Sequence, residues 1–316
     1  MKIAVMGTGA MGGYLGARLA GGGADVSFIA RGAHLTAIRE RGLRVTSPLG
    51  DMLIAPASAS DDPAAIGPVD LVLLAVKMYD LQAVAEFIRP LVGEATGIVT
   101  LQNGVDAPGI VAGLYGAART IGGVCLINGE IVAPGVIQHN ALNALVVGET
   151  DGAAEDGGSE RLRRFVELAV ASGVEARISP DIRLDIWRKM MLLAPLGSLS
   201  AMIGLPHEGY RDRTASWRLV EMGVREVAAV GRAQGVALDE AEIESALKLA
   251  RAMPPSWKSS LAVDLEQGRR LEVDGLAGAI CRYGEQAGIE TPFHRVALGT
   301  LQPHAGGGAE RFMVLR

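Results

Sequence analysis

Met1-Lys-Ile-Ala-Val-Met-Gly7-Thr8-Gly9-Ala10-Met11-Gly12, then Gly13-Tyr-Leu-Gly-Ala-Arg-Leu-Ala20, a glycine run, and Ala24-Asp-Val-Ser-Phe-Ile-Ala30-Arg31, decide the fold. The order is a short apolar strand, a G-x-G-x-x-G turn, a helix and a second strand. A dinucleotide pyrophosphate needs close backbone approach and a helix N-terminus aimed at it. Gly7 permits the tight turn, Gly9 leaves room for phosphate, and Gly12 lets the helix lie against the strand. A lone G-x-G-x-x-G is no more than a flexible turn. Placed between a strand and a helix and followed by a second strand, it predicts a nucleotide site formed by residues 7–12. The second strand ends Ile29-Ala30-Arg31 with no acid at its tip. An acid there would accept from a ribose 2′-hydroxyl, whereas a guanidinium forks onto a 2′-phosphate, so Arg31 favours NADP over NAD.

The rest of the first half alternates strand and helix. A helix is predicted over 33–41 and a hairpin over 43–45 and 51–55 around Pro48. Val69–Val76 and Gly97–Gln102 are continuous apolar runs that suit strands buried on both faces. Helices are expected at 81–89 and near 109–115, a strand at 120–126, and antiparallel strands at 134–139 and 142–147. A surface loop (151–159), a helix (159–172) and one last strand (174–178) complete this half. From Asp181 the pattern turns helical, over 181–201, 212–234, 239–252 and 258–286, with a mobile tail expected from Gly306. The fold class is therefore α/β: a Rossmann-type dinucleotide-binding domain (1–180) and an all-α C-terminal domain (181–316) for substrate and dimerisation.

Composition bounds the function. The chain has 316 residues, 49% of them hydrophobic, and a net charge of −5, so it carries no basic footprint for nucleic acid. Its mean hydropathy of +0.27 implies a large core or a buried interface. Cys125 and Cys281 fit no metal spacing and read as thiols in a reducing compartment, and the five histidines form no ligand cluster. No apolar run spans a membrane, and the apolar N-terminus is already a strand; a cytoplasmic protein without metal is expected.

Ligands on a doubly wound sheet sit beyond the C-terminal ends of its strands. Two polar residues stand there: Lys77 after Val76, and Asn103 after Gln102. Either could be ordinary, a solvated charge and a plain Asn-Gly turn. In the helical half, positions 185, 189, 193 and 197 share one helix face. Lys189 is thus bordered by Leu193 and Gly197, as a proton donor tuned by apolar surroundings or as a snorkelling lysine. Ser259-Ser260, Asp264, Glu272 and Asp274 form a further polar cluster.

Taken in order, these motifs resemble the ketopantoate reductase (2-dehydropantoate 2-reductase) family over essentially the whole chain. The resemblance rests on the turn at 7–12, Arg31, Val76-Lys77, Leu101-Gln-Asn103-Gly and Trp187-x-Lys189. It continues through Leu199-Ser-Ala, Ser259-Ser260 with Asp264, Glu272-Val-Asp274 and Gly288-Ile-Glu-Thr-Pro292. It implies that Lys189 is the general acid that protonates the ketone as hydride arrives. It implies that Lys77 and Asn103 border cofactor and substrate, that Ser260 binds the substrate carboxylate, and that Glu272 touches the cofactor and organises the site. The family places asparagines four and eight residues after the lysine and a third in the following loop; here Leu193, Gly197 and His207 take those places. A site that loses such partners no longer favours a hydroxylated substrate. The expected pocket is drier and partly enlarged at Gly197, and Pro195 is expected to kink the helix.

The resulting expectation is an NADPH-dependent reductase making (R)-2-hydroxy acids from 2-oxo acids with apolar side chains. Genuine 2-dehydropantoate reduction for pantothenate synthesis is the alternative within the family. A non-catalytic NADPH sensor and an opine-type or β-hydroxyacid dehydrogenase are alternatives from other classes. The apolar helices of the second half point to a homodimer.

Overall fold

A computed structural model describes residues 1–151 and 157–308. Most of the loop expected at 151–159, and the tail beyond residue 308, lie outside them. Two compact units are present: one comprises Met1–Gln102 and Ala107–Asp185, the other Asn103–Asp106 and the chain from Ile186 on.

The first unit is built on a mixed sheet of ten strands among the described residues. β1 (Lys2–Met6), β2 (Asp25–Ile29), β5 (Ser58–Ser60), β6 (Leu71–Leu74), β7 (Gly97–Thr100) and β8 (Thr120–Ala133) follow the spatial order β5-β2-β1-β6-β7-β8. Every neighbouring pair in that series is parallel. This is the doubly wound order, with its reversal between β1 and β6, where ligands bind. β6 and β7 are buried along their whole length, as continuous apolar runs require. Helix α1 (Ala10–Gly21) crosses between β1 and β2, with Tyr14, Leu15 and Leu19 in the core. Helices α2 (Gly32–Arg41), α3 (Leu81–Phe87), α4 (Ala107–Tyr115) and α5 (Glu160–Ala171) complete the crossovers.

Three expected strands prove to be parts of one long hairpin: that at 120–126 lies in β8, and those at 134–139 and 142–147 are a single strand, β9 (Val136–Glu149). β8 and β9 are antiparallel arms of 14 residues each. Pro134 and Gly135 make the turn: proline presets the first residue and Gly135, at φ +77°, supplies the positive angle needed at the second. The sequence concealed this length because the outer part is not apolar and its register shifts near Asn128. β3 (Leu43–Thr46) pairs with β9 and with β4 (Met52–Ile54), and β10 (Glu175–Ile178) adds to β9.

The second unit is helical: α6 (Ile182–Ile203), α7 (Thr214–Ala233), α8 (Glu240–Ala252), α9 (Ser260–Glu266), α10 (Ala277–Ala287) and α11 (Pro292–Leu301). The helix expected over 258–286 is in fact two. α9 stops at Glu266, Gly268 takes φ +64°, and Gln267–Leu276 runs as a connector before α10. A helical period alone does not reveal such a stop. α6 continues through Pro195, which costs one backbone donor. α7 receives its neighbours at glycines: a Cβ on Gly223 would lie 2.9 Å from Pro195 Cβ, and one on Gly231 would lie 2.9 Å from the Trp187 ring.

Candidate active site

In the first unit the glycine-rich turn leaves β1 and enters α1. Gly7 has φ +98°, and a Cβ there would lie 2.9 Å from the Ala75 and Val76 backbone. A Cβ on Gly12 would meet the Gly7 carbonyl at 2.3 Å and Ala75 Cβ at 2.7 Å. Gly9 faces open space. These are the distinct demands expected of the three glycines. Thr8 ties the turn to β2: its N–H and hydroxyl both donate to the Ile29 carbonyl, at 3.2 and 3.0 Å. Ala10 and Met11 open α1, whose first N–H groups have no side-chain cap and point out of the turn for an anion.

A cavity of about 440 Å³ opens beside this turn. Gly7, Thr8 and Gly9 form its polar edge, Arg31 and Asp61 its exposed rim, and Ala83, Val84 and Phe87 of α3 an apolar wall. A polar phosphate cradle beside an apolar slot fits a dinucleotide: phosphates on the turn, ring on the wall. Arg31 stands at the N-terminus of α2, and Asp61 is bonded to Arg39 at 3.4 Å. Two polar lining residues were not among the sequence candidates. His34 comes from α2; its Nδ1 accepts from Gly135 N–H at 3.0 Å, so the neutral ring carries its proton on Nε2. Burial lowers the His34 pKa, against the opposing pull of the Thr8 carbonyl. Asp61 follows the short β5, a strand too polar to be recognised by hydrophobic pattern.

Lys77 follows β6 at its C-terminal end, half-buried. The strand end is held by buried Gln102, whose amide donates to the Leu74 and Val76 carbonyls at 2.9 and 3.2 Å.

The second unit holds the other candidates. Lys189 is half-buried on α6, next to the wholly buried pair Met190 and Met191, with half-buried Leu193 one turn on. Gly197 is buried yet leaves room for a Cβ. A Cβ there would lie 3.9 Å from Ser259 Cβ, and Ser259 Oγ donates to the Gly197 carbonyl at 3.2 Å. Ser259 also caps α9 by accepting from Ala262 N–H at 3.0 Å. Of the serine pair, Ser259 therefore serves the structure, and Ser260 presents its hydroxyl at the surface as the first residue of α9. His207 was expected to meet substrate, but its ring is 0% exposed and packs edge-on against Tyr210 and Trp257. Burial, then the Arg211 charge, lowers its pKa. Glu272 is 7% exposed in the connector before α10. Asn103 belongs to this unit, and Gly104 after it (φ +98°) brings its Cα so close to the Gly275 backbone that a Cβ would sit 2.6 Å from the Gly275 carbonyl. The loops bearing Asn103 and Glu272 are thus brought together. Among the described residues no group of three His, Cys, Asp or Glu is arranged to hold a metal, and no helix is long and apolar enough to cross a membrane.

Comparison with known proteins agrees with this architecture. The family model described as ketopantoate reductase PanE/ApbA matches residues 3–152, and that described as ketopantoate reductase PanE/ApbA C terminal matches residues 181–305. A 2-dehydropantoate 2-reductase of Mesorhizobium japonicum is 33% identical over 313 residues, covering 92% of this chain and 94% of that protein. The crystal structure of a PanE/ApbA family ketopantoate reductase from Ralstonia eutropha JMP134 is 32% identical, covers 96% of this chain and 98% of its own, and superposes with a TM-score of 0.87. That of a 2-dehydropantoate 2-reductase from Geobacter metallireducens GS-15 is also 32% identical, covers 96% and 99%, and gives 0.88. With a phosphate turn in one unit, a lysine-bearing helix in the other, and both halves matched, the chain belongs to the ketopantoate reductase PanE/ApbA family.

Proposed function

We propose that this protein is an NADPH-dependent reductase that converts a 2-oxo acid with an apolar side chain to the (R)-2-hydroxy acid. The observation that carries this is Lys189, half-buried on α6 with apolar Leu193 one turn on, in a chain whose relatives are 2-dehydropantoate 2-reductases. Gly7 to Gly12 would hold the pyrophosphate, and Lys77 would border the cofactor. Arg31 would take a 2′-phosphate, which favours NADPH over NADH. When bound, the reduced nicotinamide supplies the hydride. Lys189 donates a proton to the carbonyl oxygen as negative charge grows there, then regains one from solvent. The Ser260 hydroxyl and the Asn103 amide hold the substrate carboxylate and carbonyl, and Glu272 organises the site. Release of the hydroxy acid returns the protein to its starting protonation.

Leu193 supports the apolar preference because it offers no hydrogen bond where a hydroxylated substrate needs one. Gly197 supports it by lacking a side chain, which leaves space there: the nearest atom to a Cβ would be Ser259 Cβ at 3.9 Å. A second reading, true 2-dehydropantoate reduction, is favoured by the names of the relatives. Two free cysteines suit a cytoplasmic enzyme, and exposed Leu219, Met222 and Val296 on α7 and α11 suit a homodimer.

Oxidation of NADPH and of NADH across 2-oxoisovalerate, 2-oxoisocaproate, phenylpyruvate, benzoylformate, oxaloacetate and ketopantoate tests the proposal. The expected result is NADPH turnover with the apolar acids favoured. Strong preference for ketopantoate would overturn the substrate class, and silence on every acid with NADPH still bound would replace the reductase with a sensor.

A further inference from the structure

Asp106 carries the second half of the Asn103 loop. Its Oδ2 accepts from Arg282 Nη2 at 2.6 Å and its Oδ1 from the Tyr283 hydroxyl at 2.7 Å, both on α10. The carboxylate is only 14% exposed; its bond to Arg282, itself 46% exposed, lies at the surface, and its bond to Tyr283 is partly buried. Burial, then the hydrogen bond to Asp106, raises the Tyr283 pKa and keeps the hydroxyl a donor. The Tyr283 ring also lies 6.3 Å from that of Trp187, which is 5% exposed on α6 two residues before Lys189. At the other end of the loop, Gly104 meets Gly275, three residues after Glu272. The connector there is itself fixed, since the Gly278 N–H donates to the Val273 carbonyl at 3.0 Å as α10 begins. One short stretch of α10 therefore touches the Asn103 loop, follows the Glu272 connector and packs on the helix of Lys189.

We propose that Asp106, Arg282 and Tyr283 form a clamp of positioning residues that fixes Asn103 relative to Lys189 and Glu272 for reaction. None of the three touches the reacting atoms; each acts by holding the Asn103 loop. This rests on the reductase reading given above. The physical reason for such a clamp is that Asn103 lies in a short loop, is followed by the positive-φ Gly104, and has no regular structure of its own to hold it. A misplacement of about 1 Å in a positioning group can cost on the order of 100-fold in rate.

The test uses Tyr283→Phe, which removes one hydroxyl and keeps the ring against Trp187, and Asp106→Asn, which keeps an acceptor for Tyr283 and removes the charge facing Arg282. Three readouts are taken on the full chain: NADPH affinity by fluorescence titration, kcat and KM on the best oxo acid, and amide hydrogen exchange of the peptide spanning residues 101–108. Tyr283→Phe is expected to speed exchange of that peptide and lower kcat roughly 10- to 100-fold, with NADPH affinity and melting temperature little changed. Asp106→Asn should fall between it and the wild type. Faster exchange with unchanged kcat would overturn the positioning role and leave a purely structural clamp. Unchanged exchange in both variants would overturn the clamp itself. A wild type silent on every oxo acid would sink the reductase reading and the catalytic purpose together, while the exchange data would still report whether the loop is held.

Discussion

Lys189 shows how far a single side chain can be read. Its place among apolar neighbours is visible in the 185, 189, 193, 197 spacing, and the structure finds it half-buried beside Met190 and Met191. What spacing left open was a choice between a proton donor and a snorkelling charge. Replacement by alanine decides it. Lys189→Ala is expected to lower kcat by roughly 10²- to 10⁴-fold, the usual worth of a general acid, and to leave NADPH affinity within a few-fold of wild type. A variant that kept most of its turnover would remove Lys189 from the chemistry. Other residues were less legible. His207 and Gly197 sit at positions where the resemblance implies asparagines; the His207 ring is wholly buried, and Gly197 is buried with Ser259 Cβ 3.9 Å from where a Cβ would stand. Ser259 beside Gly197 and Trp257 beside His207 lie fifty or more residues away in sequence, which no local pattern reports. His34 was passed over because a lone histidine in a helix carries no signal until β8–β9 brings Gly135 to it.

At the scale of elements, the glycine-rich turn and α1 were legible because their demands are local. The tight turn, the open phosphate edge and the close helix–strand contact each forbid or permit a Cβ within a few residues. Those demands separate experimentally. Gly12→Ala would place a methyl 2.3 Å from the Gly7 carbonyl, and is expected to cost about 1–3 kcal/mol of stability by overpacking, together with cofactor binding. Gly9→Ala meets nothing within 4 Å, and is expected to leave the melting temperature unchanged while weakening NADPH. Equal loss of stability in both variants, measured by thermal melting with and without NADPH, would refute the division of roles. The β8–β9 hairpin and the break between α9 and α10 were not legible. The outer hairpin is half exposed and bulged, and in the α9–α10 connector buried Leu271, Val273 and Leu276 continue the core without a helix passing through them.

For the whole molecule, three buried or half-buried imidazoles set a direction for pH. His294 is fully buried with its Nδ1 2.7 Å from Glu226, whose carboxylate also accepts the Phe293 and His294 backbone N–H groups at the start of α11. Burial lowers the pKa of His294, as it does for His34 and His207. A lowered imidazole means that the unfolded chain takes up its proton first as pH falls below the ordinary value of 6.5. The stability is therefore complete above that pH and is lost on moving down toward the folded-state value. The slope approaches about 1.4 kcal/mol per pH unit for a fully buried group such as His294. Urea unfolding at pH 7.5, 6.0 and 5.0 should show a steady decline, and a His294→Gln variant should show a shallower one. Stability that is flat or rising toward pH 5.0 would contradict the burial of these rings. The sequence by itself determined the doubly wound nucleotide unit, the helical second half and the family, because strands, turns and helix faces are written in local periodicity and in glycines whose steric needs are met nearby. Tertiary structure alone decided which of the candidate residues are open and which are covered, and that Arg282 and Tyr283 of α10 bond Asp106, three residues after Asn103. Burial and hydrogen-bond pairing depend on residues distant in sequence, and only folding brings these together.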